Sequence, residues 1–313
     1  MGLSVIRLCK TLLVLGAAFA GGLVPARATL LPPQFFDCVA AIGVKVSVVQ
    51  PGQPQGQLPS EEFRAIATGF FYGFLIKDDP DPLKRLYETY LITAKHVIDE
   101  LRTAKLEGLF IRVNPAETSS QSPEFAIPLR QTAGQNQWFF DPDPNVDLAS
   151  IRIQFPILRA SNLKVDFFPN DQIGVGREQM KSRGVAAGDG IFVLGFPLGL
   201  NGRQRNYLTV RQGVIARLSD MLEGASKSFL IDSFAFPGNS GGPVILKPEL
   251  TSLVGTSAQR QAVIGIVLSY IPYIDTAISE ATKRPRVTFE ENSGLANVLP
   301  VGSLTRLLRD GVR

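Results

Sequence analysis

The 313 residues contain a single histidine, His96, and two cysteines, Cys9 and Cys38. One cysteine and one histidine cannot furnish the four-ligand set of a structural zinc site, and neither a metal nor a cofactor is expected. Sustained repeats and low-complexity tracts are absent. Beyond the N-terminal segment no apolar run is long enough to form a membrane helix. Charge is also nearly balanced, with 32 Lys and Arg against 28 Asp and Glu.

The N-terminal segment has the layout of an export signal. Arg7 and Lys10 precede an apolar run from Thr11 to Val24, and Ala26, Arg27 and Ala28 form a small-x-small cleavage site. Gly21, Gly22 and Pro25 break the run, which is too short to span a bilayer. Residues 1–28 are therefore expected to be removed, leaving an exported, periplasmic or extracellular chain with no membrane contact. Arg7, Lys10 and Arg27 account for three of the four net positive charges, so the remaining 285 residues are close to +1. This excess argues for neither nucleic acid nor an anionic membrane. Cys9 leaves with the segment, so no intramolecular disulfide can form. Cys38 lies in "FFDCVAAIGVKVSVV", apolar on both sides, and is expected to be a buried structural thiol. The remaining length supports a large core without staples.

What is present is dominated by strand signals. "IGVKVSVVQ" (42–50), "ATGFFYGFLIK" (67–77) and "YLITA" (90–94) read as strands, separated by a Gly/Pro/Gln loop (51–59) and a polar loop (78–86). Further strands are expected at 108–113, 124–130, 148–154, 190–195, 206–217, 228–234, 243–246 and 262–269. "VIDELRTAK" after His96 reads as a helical turn at most. Leu304, Leu307 and Leu308 predict a C-terminal amphipathic helix over about 301–310. Short spacing and frequent turn signals point to an all-β sandwich or barrel, and the length allows two small barrels packed together.

Two features could carry chemistry. In "FPGNSGGPV" (236–244), Ser240 is flanked by Gly238, Gly241 and Gly242. Glycine permits a tight turn that exposes a serine hydroxyl while backbone N–H groups converge on a substrate oxygen. The amides of Gly238 and Ser240 could form such an oxyanion hole, although an ordinary Gly-rich turn fits the same string. A serine nucleophile needs a base within hydrogen-bond reach, and His96, just past a strand end, is the only histidine. Such a base needs a carboxylate to orient it. Asp147, before the strand "LASIRI", is the first candidate; Asp141 and Asp143 are rivals in a Pro-rich, solvated loop, and Asp99 suits a capping or solvating place.

"TGFFYGFLI", "YLITAKHV", "VDLASIRI" and "FPGNSGGPV", in that order, resemble the trypsin-like serine proteases of chymotrypsin fold. "AAGDGIFVLGFPLGL", "LTVRQGVIARL" and "NSGLANVLPVGSL" are similar to the bacterial HtrA/Deg-like branch. The resemblance spans about residues 40–308. It implies an all-β fold of two packed six-stranded antiparallel barrels, about 40–155 and 165–300, followed by the helix, in one protease domain over 29–313. It implies His96 as general base and acid, Asp147 as its orienter, Ser240 as nucleophile, and the Gly238 and Ser240 amides as the oxyanion hole. Polypeptides are the implied substrates, with Phe234, Ser269 and Tyr270 as expected substrate-binding residues.

Departures shape the expectation. Only 13 residues follow Pro300, too few for the PDZ domain common in that branch. Position 239 is Asn, which carries no charge for the activating ion pair of trypsin-like zymogens. "SFAF" (233–236) places no acid at the base of the specificity pocket, which predicts a small or medium apolar side chain before the scissile bond. Lys95 is expected to snorkel into solvent. The expected function is a secreted serine endopeptidase. The alternatives are an inactive protease-fold binding or scaffold module, and an unrelated ligand-binding β-protein.

Overall fold

The computed structural model describes residues 30–48, 59–130, 137–248 and 261–311. The expected export signal, Cys9 and most of the loop at 51–59 lie outside the described residues.

The first unit is a curled sheet. Its strands are β1 (Val39–Val48), β2 (Ser60–Lys77), β3 (Leu86–Thr93), β4 (Gly108–Arg112), β5 (Glu124–Pro128), β6 (Trp138–Phe140) and β7 (Ala149–Arg152), in the order β5-β4-β1-β2-β3-β7-β6. A short segment, Phe168–Pro169, adds a parallel pairing to β2. Side chains alternate along β2: Phe70 and Tyr72 face one buried cluster while Ala67 and Phe71 face another. Burial on both faces explains why β2 and β3 read as continuous apolar runs. With the barrel described below, this curled half-barrel is consistent with the expected chymotrypsin-like fold. No backbone pairing joins β5 to β6 among the described residues. Pro128 ends β5 without an N–H to donate, and β6 is only three residues long. The gap is bridged by a side chain, since Trp138 Nε1–H donates to the Pro128 carbonyl at 2.9 Å.

The second unit is a closed barrel. β8 (Gly190–Gly195), β9 (Thr209–Arg217), β10 (Phe229–Asp232), β11 (Pro243–Leu246), β12 (Ala262–Ile278) and β13 (Pro285–Pro300) close in the order β8-β9-β10-β13-β12-β11. Ile191, Val193, Ile215, Phe229, Val244 and Val298 fill it. The two units pack through a shared cluster that includes Phe70, Tyr72 and Ile92 of the sheet with Phe192, Leu194 and Ile266 of the barrel.

Two helices matter for the site. "VIDELRTAK" forms more than a turn: α1 (Lys95–Thr103) is a full helix whose Val97, Ile98 and Leu101 are buried. The C-terminal helix α2 (Val301–Gly311) buries Leu304, Leu307 and Leu308, as their spacing predicts. A second departure concerns β12. The strand expected at 262–269 runs on to Ile278 and pairs with β13 as a two-stranded arm. Cys38 is buried, its Sγ donating to the Gln34 carbonyl at 3.3 Å. Burial first, then the charges of Asp166 and Asp37, push its pKa well up, so it is a neutral structural thiol. Among the described residues no helix is long and apolar enough to cross a membrane.

Candidate active site

Register brings the first two candidates together. Thr93, the last residue of β3, pairs with Ala149, the first of β7. His96 lies three residues after the one and Asp147 two before the other. Ala94 is extended (φ −74°, ψ 143°) and hands the chain to α1 at Lys95. The first amides of a helix lack intrahelical partners, and one of them meets Asp147. His96 N–H donates to Asp147 Oδ1 at 2.8 Å, and Asp147 Oδ2 lies 2.7 Å from His96 Nδ1. One carboxylate thus grips both the backbone and the ring of His96. That places the proton on Nδ1 and leaves Nε2 free to act as a base.

The charges follow the geometry. The Asp147 hydrogen bond is the largest influence on His96; it outweighs burial and, with the charges of Asp147, Glu100 and Asp99, raises the pKa above 6.5. For Asp147 burial is the largest single influence and would raise its pKa. The bonds and charge of His96, with the Lys95 amide, reverse this and leave the carboxyl below 3.8. Neither rival acid faces His96. Asp143 pairs with Lys227. Asp141 is not solvated as expected: its side chain is buried and takes a 2.9 Å ion pair from Arg306.

Ser240 lies on the loop before β11, and Thr68 of β2 holds that loop. Thr68 Oγ1 donates to the Gly238 carbonyl at 2.6 Å and accepts the Phe196 N–H at 3.0 Å, while Thr68 N–H donates to the Ser240 carbonyl at 3.0 Å. The loop presses so closely that glycine is required. At Gly238 (φ 100°) a Cβ would strike the Phe196 carbonyl, and at Gly241 (φ 83°) the Thr68 carbonyl. Asn239 is buried and its Oδ1 accepts the Phe236 N–H at 3.0 Å, so this uncharged residue braces the loop from inside.

The same loop aims its amides. The Pro237 carbonyl accepts the Leu198 N–H at 2.7 Å, and the Asn239 carbonyl accepts the Gly242 N–H at 2.9 Å. In a trans peptide the N–H points opposite to the carbonyl, so the Gly238 and Ser240 amides face away from those anchors. Neither has a hydrogen-bond partner among the described residues. Leu198 holds its anchoring pose at φ 56°, an uncommon conformation for a non-glycine residue.

A cavity of about 330 Å³ gathers these groups. His96, Gly238, Ser240, Ser269 and Tyr270 all line it, as do Phe236 and Glu100, which sequence reasoning missed. Phe234 does not line it; its exposed ring stacks on Phe236 at 6.3 Å. Glu100 stands one helical turn from His96, a signal legible only once α1 is known to be a helix. Tyr270 donates to Glu290 Oε1 at 2.6 Å, and that bond raises its pKa. The Ser240 hydroxyl donates to the Leu268 carbonyl at 3.0 Å. That hydroxyl makes no hydrogen bond to the imidazole of His96, although both side chains line the same cavity.

The model of the trypsin-like peptidase domain family matches residues 68–255, from the threonine that braces the Ser240 loop to beyond β11. No curated protein matches. Among solved structures, the crystal structure of Deg5 aligns over 87% of this chain and 88% of that chain, at 17% identity and a TM-score of 0.42. With more than half of its length matched by that family model, and with a closed β-barrel packed on a curled β-sheet, the chain belongs to the trypsin-like peptidase family.

Proposed function

We propose that this protein is an exported serine endopeptidase of the HtrA/Deg-like kind that cuts polypeptides through an acyl-enzyme. The observation that carries the reading is the two-pronged grip of Asp147 on His96, at the rim of a cavity shared with Ser240. In this mechanism Ser240 rotates off the Leu268 carbonyl, His96 Nε2 takes its proton, and Oγ attacks the scissile carbonyl. The Gly238 and Ser240 amides receive the oxyanion. His96 then gives the proton to the leaving amine, and water repeats the sequence on the acyl-enzyme. Asp147 stabilises the imidazolium in both halves. A small or medium apolar side chain before the scissile bond fits the Ala235–Phe236 wall, and equal cleavage of Arg and Val substrates in a peptide library would count against it.

Casein hydrolysis tests the reading. Ser240→Ala or His96→Ala should lower kcat on the order of a millionfold, about 8 kcal/mol of transition-state stabilisation. Asp147→Asn should cost roughly ten-thousandfold through the wrong tautomer. One observation favours a second reading, an inactive binding module: the Ser240 hydroxyl is bonded to Leu268 rather than His96. Wild-type protein that is folded yet leaves casein uncut would establish it.

A further inference from the structure

The arm that continues β12 and β13 beyond the barrel starts at the cavity itself. One edge of β12 is used by β11 from Ala262 to Ile266. Past that point the Ser240 loop takes over: Val267 exchanges bonds with Gly241 and Gly242, and the Leu268 carbonyl holds the serine hydroxyl. From Ser269 to Ile278 this edge has no backbone partner among the described residues, while the other edge is paired to β13. The free edge extends roughly 30 Å at the usual rise of a strand. The arm is anchored at its base. Asn292 Nδ2 donates to the Ala235 carbonyl and Ser293 Oγ to the Ile271 carbonyl, each at 2.6 Å. Tyr273, Ile274, Val287 and Phe289 on the arm are each more than half exposed.

An unpaired, apolar edge of this length is a template for another strand. Its continuity with the catalytic cavity identifies the occupant. We propose that the arm beyond Tyr270 is a substrate rail, on which residues beyond the fourth on the N-terminal side of the scissile bond pair as an added β-strand. This rests on the serine endopeptidase reading above. β12 runs from the cavity toward the tip. The acyl side of a substrate, ending at Ser240, runs from tip to cavity and is therefore antiparallel to β12. The leaving side would have to lie parallel, the weaker pairing. The rail selects unfolded or extended polypeptides, because only a chain free of its own secondary structure can offer backbone groups to the edge. Side chains at alternate positions would meet the exposed apolar residues of the arm.

The test uses peptides with one scissile bond, lengthened on the acyl side from about three to about nine residues. They are read as Kd on Ser240→Ala protein, which needs no turnover, and as kcat/KM on wild type. Affinity should rise on the order of tenfold beyond the fourth residue. Lengthening the leaving side should do nothing. N-methylation of alternate peptide nitrogens beyond the fourth should abolish the gain without touching the protein. Replacing Tyr273–Glu291 by an Asn-Gly turn should also abolish it. Length-independent binding would overturn the rail, whether or not the peptides are cut; length-dependent binding without cleavage would instead overturn the endopeptidase reading. An arm-dependent dimer in sedimentation, with no length dependence, would assign the edge to a second copy and overturn the rail as well.

Discussion

At the scale of single residues, the account turns on His96 and Thr68. The raised pKa of His96, held up first by its hydrogen bond to Asp147, means that its neutral, proton-accepting form becomes dominant at a higher pH than in a free imidazole. The acid limb of kcat/KM should therefore have its midpoint above 6.5 in wild type. Asp147→Asn removes the largest raising influence, so the midpoint should move down; an unmoved limb would detach it from His96. Because there is one histidine, a single imidazole resonance in an untagged sample reports the same titration. The linkage has two signs. Stability contributed by His96 is full below 6.5 and fades as pH rises through the folded pKa. That from Asp147 is full above 3.8 and fades as pH falls through its lowered value. Thr68 is a positioning residue. Thr68→Val leaves the Phe196 N–H and the Gly238 carbonyl without this partner and should cost on the order of 2 kcal/mol, with kcat falling roughly tenfold to a hundredfold through displacement of the loop. Thr68→Ser, which keeps the hydroxyl, should restore both. A Val variant with wild-type kcat would remove Thr68 from the argument.

At the scale of elements, the Ser240 loop is defined by what it excludes. Gly238→Ala puts a Cβ against the Phe196 carbonyl at a positive φ, and relief of that clash turns the 238 amide away. Loss of one oxyanion donor lowers kcat by about a hundred- to a thousandfold, so kcat should fall with KM little changed. A larger effect on KM would locate the loop in ground-state binding instead. The same elements show what could be read from the sequence. The candidates "GNSGG" and the lone histidine could be picked from the sequence because nucleophile and base chemistry limit which residues could serve, and the structure brings both to one cavity. Thr68 could not be, since its partners lie 128 and 170 positions away. The arm was missed for another reason. Both its faces are exposed, so no one-sided burial imposes the alternation from which strands are recognised. α1 was underestimated because it is short and its buried face is only Val97, Ile98 and Leu101.

At the scale of the molecule, the residues of the proposed mechanism sit where two β units meet. The sheet supplies His96, Asp147 and Thr68, the barrel supplies Ser240 and its loop, and the shared cluster sets their distance. The order of strand signals in the sequence was enough to suggest two packed β units. The side-chain bond from Trp138 to the Pro128 carbonyl, which spans the two edge strands of the first unit, was not legible, because it joins residues separated by a loop that carries no pattern for it. α2 belongs to the same shared cluster. Leu304→Ala should destabilise the fold by about 2–5 kcal/mol and lower the thermal midpoint, with kcat per folded molecule unchanged. The central claim, that His96, Asp147 and Ser240 act as one unit, is tested most directly with a fluorophosphonate probe whose adduct is mapped by mass spectrometry. The account predicts a single adduct on Ser240 in wild type, lost in Ser240→Ala and His96→Ala. No adduct on folded wild type, or one on Ser240 that persists without His96, would contradict it.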